Sequence, residues 1–192
     1  MKRKGVHIGK MKDKEIERRF KLTQEQKENI LNFVKNQASF KGKCRQFDVY
    51  YEPNFKEWEK DGKTMEALRI RTVDAKSTMN YKYIHREANP IYNDEYESAI
   101  ENSEQMEKIL FAIGFHRLIE IDKTRQTYLY EDYEFDIESV VGLGDFLEVE
   151  LKGENADVSK IFELVKLFGL TDRDVTFDGI IKLMQNANKK SL

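Results

Sequence analysis

Glu15-Ile16-Glu17-Arg18-Arg19-Phe20-Lys21-Leu22 carries charge at every odd position and carbon at 16, 20 and 22. Residues two apart leave a strand on the same face, so this alternation predicts a strand with one charged and one apolar face. The split recurs along the chain. Leu68-Arg69-Ile70-Arg71 sets two arginines against two aliphatics, and Phe146-Leu147-Glu148-Val149-Glu150-Leu151 sets two carboxylates against Leu147, Val149 and Leu151. Lys123 shares a face with Arg125, and Asp136 with Glu138. One wet face is the usual state of an antiparallel sheet and accounts for any one of these strands alone. Taken together they carry doublets of one sign, which repel unless a counter-charge or a ligand compensates them.

Working outward, period-two alternation predicts strands over 15–22, 43–52, 66–73, 78–86, 92–100, 116–130, 133–140 and 145–152, with a turn at Glu131-Asp132. Four segments have helical spacing. Thr23-Gln24-Glu25-Gln26 is a capping box ahead of Ile30, Leu31 and Val34. Ser103 opens 103–113, ended by Gly114; a third helix runs from about Asp157 to Gly169, and a fourth covers 174–187. The fold class is therefore α+β. Its expected form is an eight-stranded antiparallel β-barrel with helices packed on the outside, apolar faces outward and charged faces around a polar lumen. Clustered carboxylates suit Mg²⁺ or Mn²⁺, and arginine forks with lysine suit phosphate, so both in one lumen point to a metal–polyphosphate ligand. A salt-bridged outer surface would leave a similar trace in the sequence.

The composition bounds the alternatives. The 192 residues hold 33 Lys and Arg against 35 Asp and Glu, a formal net charge of −2, with 40% hydrophobic content. Nucleic-acid and membrane-surface binders need a field of one sign, so neither partner is expected. The apolar content excludes disorder. Cys44 is the single cysteine and cannot close an intramolecular disulfide. No stretch approaches the roughly 20 apolar residues of a spanning helix. Met1 to Lys14 has no apolar segment of a signal peptide, and a cytoplasmic protein is expected. With only Pro53 and Pro90 and no Gly/Ser-rich linker, 13–187 reads as one domain behind a flexible lead-in, 1–12, and ahead of a polar tail, 188–192.

Several of these segments also resemble the CYTH superfamily, or triphosphate tunnel metalloenzymes, which includes class IV adenylyl cyclases, thiamine triphosphatases and inorganic tripolyphosphatases. Glu15-Ile16-Glu17-Arg18-Arg19 is similar to the family's Glu-x-Glu-x-Lys strand, with Arg19 in place of Lys. Gln46-Phe47-Asp48-Val49-Tyr50-Tyr51 resembles its second strand, with Glu52 where Asp is usual. Ala67-Leu68-Arg69-Ile70-Arg71, Tyr81-Lys82, Glu95-Tyr96-Glu97 and Lys123-Thr124-Arg125 follow in the family's order, with Asn93 where a basic residue is frequent. The most specific piece is Gly142-Leu143-Gly144-Asp145-Phe146-Leu147-Glu148-Val149-Glu150; counting back from Phe146 puts Glu138 at the family's acidic position.

The resemblance implies a tunnel in which Arg19, Arg69, Arg71, Lys82, Lys123 and Arg125 bind a triphosphate. It also implies that Glu15, Glu17, Glu138, Glu148 and Glu150 hold one or two Mg²⁺ or Mn²⁺. Glu15, Glu17, Lys123 and Arg125 are the expected catalytic set. The expected activity is that of a class IV adenylyl cyclase, ATP to cyclic AMP and pyrophosphate. Alternatives are hydrolysis of tripolyphosphate, thiamine triphosphate or a nucleoside triphosphate, and non-catalytic binding of a nucleotide or polyphosphate. A homodimer is left open. His7, His85 and His116 show no ligand or triad spacing; Met65, Met79 and Met106 read as core. Trp58, in the polar insert 54–63, reads as an aromatic packed on its loop or as a cap on the tunnel mouth.

Overall fold

In a computed structural model of the chain, residues 14–152, 158–171, 173–176 and 179–190 are described. The element order is β1 (Lys14–Glu15), β2 (Glu17–Leu22), α1 (Gln24–Gln37), β3 (Ser39–Pro53), β4 (Glu59–Lys60), β5 (Lys63–Thr64), β6 (Glu66–Val73), β7 (Lys76–His85), β8 (Tyr92–Ile100), α2 (Ser103–Ala112), β9 (Phe115–Tyr130), β10 (Tyr133–Val140), β11 (Gly144–Leu151), α3 (Val158–Lys166) and α4 (Ile180–Lys190). The expected lead-in 1–12 lies outside the described residues.

One antiparallel sheet runs β1-β8-β7-β6-β3-β9-β10-β11-β2, nine strands where eight were expected. The extra strand comes from the first one, which is cut at Ile16. Its start, β1, pairs with β8 through Glu15↔Asn93, and its continuation, β2, pairs with β11 through Arg19↔Glu148. The two ends of the sheet are thus consecutive pieces of one strand, and the Leu151 N–H donates to the Ile16 carbonyl across the cut at 3.0 Å. This closes the ring as nearly as a barrel requires.

Outward faces of the barrel make two of the three core clusters. Phe20, Phe135, Leu147 and Val149 pack with Ile30 and Val34 of α1 and with Ile161 and Val165 of α3. Phe20 is fully buried, a burial worth on the order of 1.5–3 kcal/mol. Leu110 of α2 covers Val49, Leu68 and Ile70 on the outer face. Ile180, Ile181 and Met184 of α4 instead pack on Tyr50, Ile121 and Phe146, which share the inward parity of Asp48, Lys123 and Glu148, so this helix lies against the interior of the barrel rather than on its outside.

Local chemistry sets the element ends. The Thr23 hydroxyl accepts from the Gln26 N–H at 3.2 Å and the Gln26 amide accepts from the Thr23 N–H at 2.9 Å, the reciprocal box that starts α1. The second helix is capped by Asn102, whose side chain accepts from the Gln105 N–H at 2.9 Å, one residue earlier than the Ser103 expected. The fourth begins at Ile180 rather than 174, because Val175 forms a bridge with Phe20 and the Thr176 N–H donates to the Arg19 carbonyl. It runs to Lys190, so the expected tail begins as helix. Trp58 packs edge-on against Tyr81 and Phe115, with centroids 5.9 and 5.6 Å away, and stays outside the lumen. Among the described residues no helix is long and apolar enough to cross a membrane, a statement about helices only.

Candidate functional site

Inward-facing side chains bound a polar cavity of about 240 Å³. Strand parity places them. On β6 it points Arg69 and Arg71 inward, on β9 Lys123 and Arg125, on β11 Glu148 and Glu150, and on β1 and β2 Glu15, Glu17 and Arg19. Lys82 of β7 completes the predicted lining. Glu138 is the exception, considered below. Asp136, Glu134, Lys152, Glu95 and Glu97 also line the cavity. Glu95 and Glu97 share a face of β8 and are readable as a doublet. Lys152, the last residue of the expected strand 145–152, has the parity of Glu148 and Glu150 and is readable from the same alternation, though it lies one residue past the end of β11.

The basic groups are each held by carboxylates. Lys82 pairs with Glu15 and lies 3.6 Å from Glu17 and 3.5 Å from Glu95. Arg19 pairs with Glu148. Arg125 reaches Asp136 at 2.6 Å, Glu138 at 2.5 Å and Glu148 at 2.8 Å. Arg71 forms a fork on Asp48, with Nε–Oδ1 and Nη2–Oδ2 both 2.7 Å. Burial pushes the Arg19 guanidinium down, yet Glu148, Glu138 and Glu17 outweigh it and hold the group charged.

Two of the inward-facing carboxylates are covered by their basic partners. Asp48 and Glu138 are both 0% exposed, and neither lines the cavity. Glu138 Oε1 accepts from Lys123 Nζ at 2.5 Å and from Arg125 Nε at 2.8 Å, so it faces two bases rather than the lumen where the resemblance placed it as a metal ligand. Burial pushes both carboxyls up, but Arg71, Arg69 and Lys123 around Asp48, and Lys123, Arg125 and Arg19 around Glu138, leave them below the ordinary range.

The acidic side has too little counter-charge. Burial, with Glu15 and Glu148 nearby, pushes the Glu17 carboxyl up to about 7 against the pull of Lys82. Burial with Glu15 and Glu134 brings Glu150 to about 7 against Lys152, and burial brings Asp136 to about 6 against Arg125. Crowded hard-oxygen donors with unmet charge suit a divalent cation such as Mg²⁺ or Mn²⁺. As they stand, the carboxylates turn to their basic partners, and no three of His, Cys, Asp and Glu among the described residues are gathered closely enough to hold a metal ion.

A second chamber, about 150 Å³, opens beside the first. Ala67, Ile84, Ile91, Val175, Ile180 and Ile181 give it apolar walls, Tyr50, Asn93, Thr64 and Thr176 add polar groups, and Arg18 and Arg86 add charge. Glu17, Arg19, Arg69 and Lys82 line both chambers. Arg19 Nε and Arg69 Nε are buried at this junction without a hydrogen-bond partner. The Tyr50 hydroxyl accepts from Arg69 Nη1 at 3.2 Å, which leaves the Nε–H donors without an acceptor.

This closed, charge-lined barrel can be set beside known proteins. The CYTH domain model matches residues 13–170. The chain belongs to the CYTH family. CYTH proteins bind triphosphates and use a divalent metal, and they are adenylate cyclase-like proteins or triphosphatases. Within the family, the chain is 28% identical over 174 residues to a Methanocaldococcus jannaschii protein named "Putative adenylate cyclase", covering 88% of this chain and 98% of the relative. It is 27% identical to a conserved hypothetical protein from Pyrococcus furiosus, with a TM-score of 0.73 over 88% of this chain and 99% of that one. A Hippeastrum protein described as a "putative adenylyl cyclase" with a dominant triphosphatase activity shares the fold at 15% identity, with a TM-score of 0.62 over 90% of this chain and 95% of that one.

Proposed function

We propose that this CYTH chain is a metal-dependent enzyme for a triphosphate that carries an organic group, cyclising ATP to cyclic AMP and pyrophosphate. The observation that carries the reading is the junction: a polar cavity sized and charged for phosphates opens directly onto an apolar chamber. An inorganic chain of phosphates has no use for that chamber, whereas a nucleoside does.

The residues divide by side. Glu15, Glu17, Glu148 and Glu150 would hold Mg²⁺ or Mn²⁺, which when bound polarises phosphate oxygens. Arg71, Lys82, Lys123 and Arg125 grip the β- and γ-phosphates and neutralise the charge that grows on the leaving group. Arg19 and Arg69, with their unpartnered Nε atoms at the junction, take the α-phosphate oxygens. The 3′-hydroxyl oxygen then bonds to the α-phosphorus, the bond from that phosphorus to its bridging oxygen breaks, and pyrophosphate departs. The hydroxyl proton passes to the carboxylate side of the tunnel. The protein's share is positioning and charge neutralisation, which suffices for this chemistry.

Hydrolysis of a triphosphate is the second reading. The activity described for the Hippeastrum protein favours it, and the same phosphate grip serves it, with water attacking the terminal phosphorus and inorganic phosphate leaving.

Incubating the purified chain with ATP, tripolyphosphate and thiamine triphosphate, each with Mg²⁺ or Mn²⁺, tests both. Cyclic AMP and pyrophosphate above blank support the cyclase. Inorganic phosphate without cyclic AMP moves the chain to the triphosphatases. Tight binding without turnover of any of the three makes it a binding protein.

A further inference from the structure

The inward face of the sheet alternates in sign from strand to strand. Arg69 and Arg71 on β6 are followed by Asp48 on β3, Lys123 and Arg125 on β9, and Glu138 on β10. Each of the two carboxylates stands between strands, under a pair of basic side chains. Asp48 takes both donors of the Arg71 fork at 2.7 Å and lies 3.8 Å from Arg69. Glu138 takes Lys123 at 2.5 Å and Arg125 at 2.8 and 2.5 Å on a single oxygen. Neither is accessible, and neither bounds the cavity their partners line.

We infer that Asp48 and Glu138 are positioning residues that fix the four basic side chains of the phosphate wall, and that Glu138 is not a metal ligand. This rests on the reading of the tunnel as a triphosphate site. The physical argument is one of order and charge. An arginine or lysine reaching into an open lumen has several rotamers, and freezing them costs conformational entropy. A carboxylate beneath the guanidinium meets that cost at folding, so the wall is already set when the anion arrives. Asp48 uses the Nε edge and one Nη of Arg71, which leaves the remaining donors of the fork for a phosphate.

The metal-ligand alternative has one point in its favour: Glu138 Oε2 is buried without a hydrogen-bond partner. A dication there would share its carboxylate with Lys123 and Arg125, cationic groups within 2.8 Å of the other oxygen. Glu148 and Glu150 also carry cations, Arg125 at 2.8 Å and Lys152 at 2.7 Å, but both line the lumen where an incoming cation can reach them, whereas Glu138 is fully enclosed beneath Lys123 and Arg125.

The test separates metal from phosphate. Tripolyphosphate affinity and, in its absence, Mn²⁺ affinity are measured on the full chain and on Asp48→Asn, Glu138→Gln and Glu150→Gln, with Tm as a folding check. Positioning roles predict that Asp48→Asn and Glu138→Gln weaken tripolyphosphate at least about tenfold while Mn²⁺ affinity stays within about twofold. Glu150→Gln should do the reverse. If Glu138→Gln leaves Lys123 uncompensated and does not fold, Glu138→Asp replaces it; its shorter arm should still lose tripolyphosphate and keep Mn²⁺. Loss of Mn²⁺ affinity in either Glu138 variant overturns the inference, as does unchanged tripolyphosphate affinity in folded Asp48→Asn. A native chain that binds no tripolyphosphate overturns the tunnel reading and this inference with it, whereas native binding with indifferent variants overturns the inference alone.

Discussion

The two sides of the tunnel are built differently. On the phosphate side, Arg71, Lys123 and Arg125 rest on carboxylates that are fully enclosed, and those carboxyls sit below their usual range because their cations outweigh burial. On the opposite side, Glu17 and Glu150 reach about 7, because burial and neighbouring carboxylates outweigh Lys82 and Lys152. One side is compensated by the protein itself. The other is short of positive charge, the condition in which a bound cation is most stabilising.

The largest expected break in this contrast comes from Glu150→Gln. It removes a ligand charge from the under-compensated side at constant volume, so metal-dependent turnover should fall roughly a hundredfold or more. Tm should stay within about 2 °C or rise, since Glu15 and Glu134 lose a repulsive neighbour. Turnover assays with calorimetric scans check both.

Next is Arg71→Ala. Losing charge-assisted contacts to phosphate should weaken triphosphate binding by about tenfold to a hundredfold. Unlike the glutamate change it should also destabilise the fold, by about 1–3 kcal/mol, because Asp48 is left buried and short of a partner. Denaturant titration would show whether the two sides differ in this way.

Acidity should act on the two sides in opposite directions. Glu17 and Glu150 rise from an ordinary value of 4.5 to about 7 in the fold, so between these values the native state holds protons that the unfolded chain has lost. Metal-free stability from these groups is full below about 4.5 and declines as pH rises through 7. Cation binding must displace the same protons, so apparent Mn²⁺ affinity should climb about tenfold from pH 6 to 7.5 and then level. Asp48 and Glu138 are lowered, and what they contribute is lost as pH falls below the usual carboxylate range. The smallest expected effect is in the side chamber. Ile84→Asn should raise KM for ATP about fivefold and leave tripolyphosphate unchanged.

Much of this arrangement is legible in the chain, and the gaps have physical reasons. Doublets such as Arg69/Arg71 and Glu148/Glu150 announce an inward face because two like charges at period two are costly without a purpose. Asp48 is a single acid among Gln46 and Tyr50 on its face, so nothing in the alternation separates it from a surface residue. Depth is also invisible: Glu138 and Asp136 share a face of β10, yet only Asp136 reaches the cavity, and the difference is set by Lys123 from the neighbouring strand. The closure at Ile16 depends on β8 and β11 meeting opposite halves of one strand, a pairing that alternation within that strand does not encode.

The central claim, that the two sides together hold a metal and a triphosphate, is tested most directly by titrating the full chain calorimetrically with a non-hydrolysable ATP analogue, with and without Mn²⁺. Because the metal and the phosphates would share one tunnel, each should raise the affinity of the other by the same factor. The account predicts at least about tenfold tighter binding with Mn²⁺ and much weaker binding of the monophosphate. Affinity that ignores Mn²⁺, or that is the same for mono- and triphosphate, would contradict it.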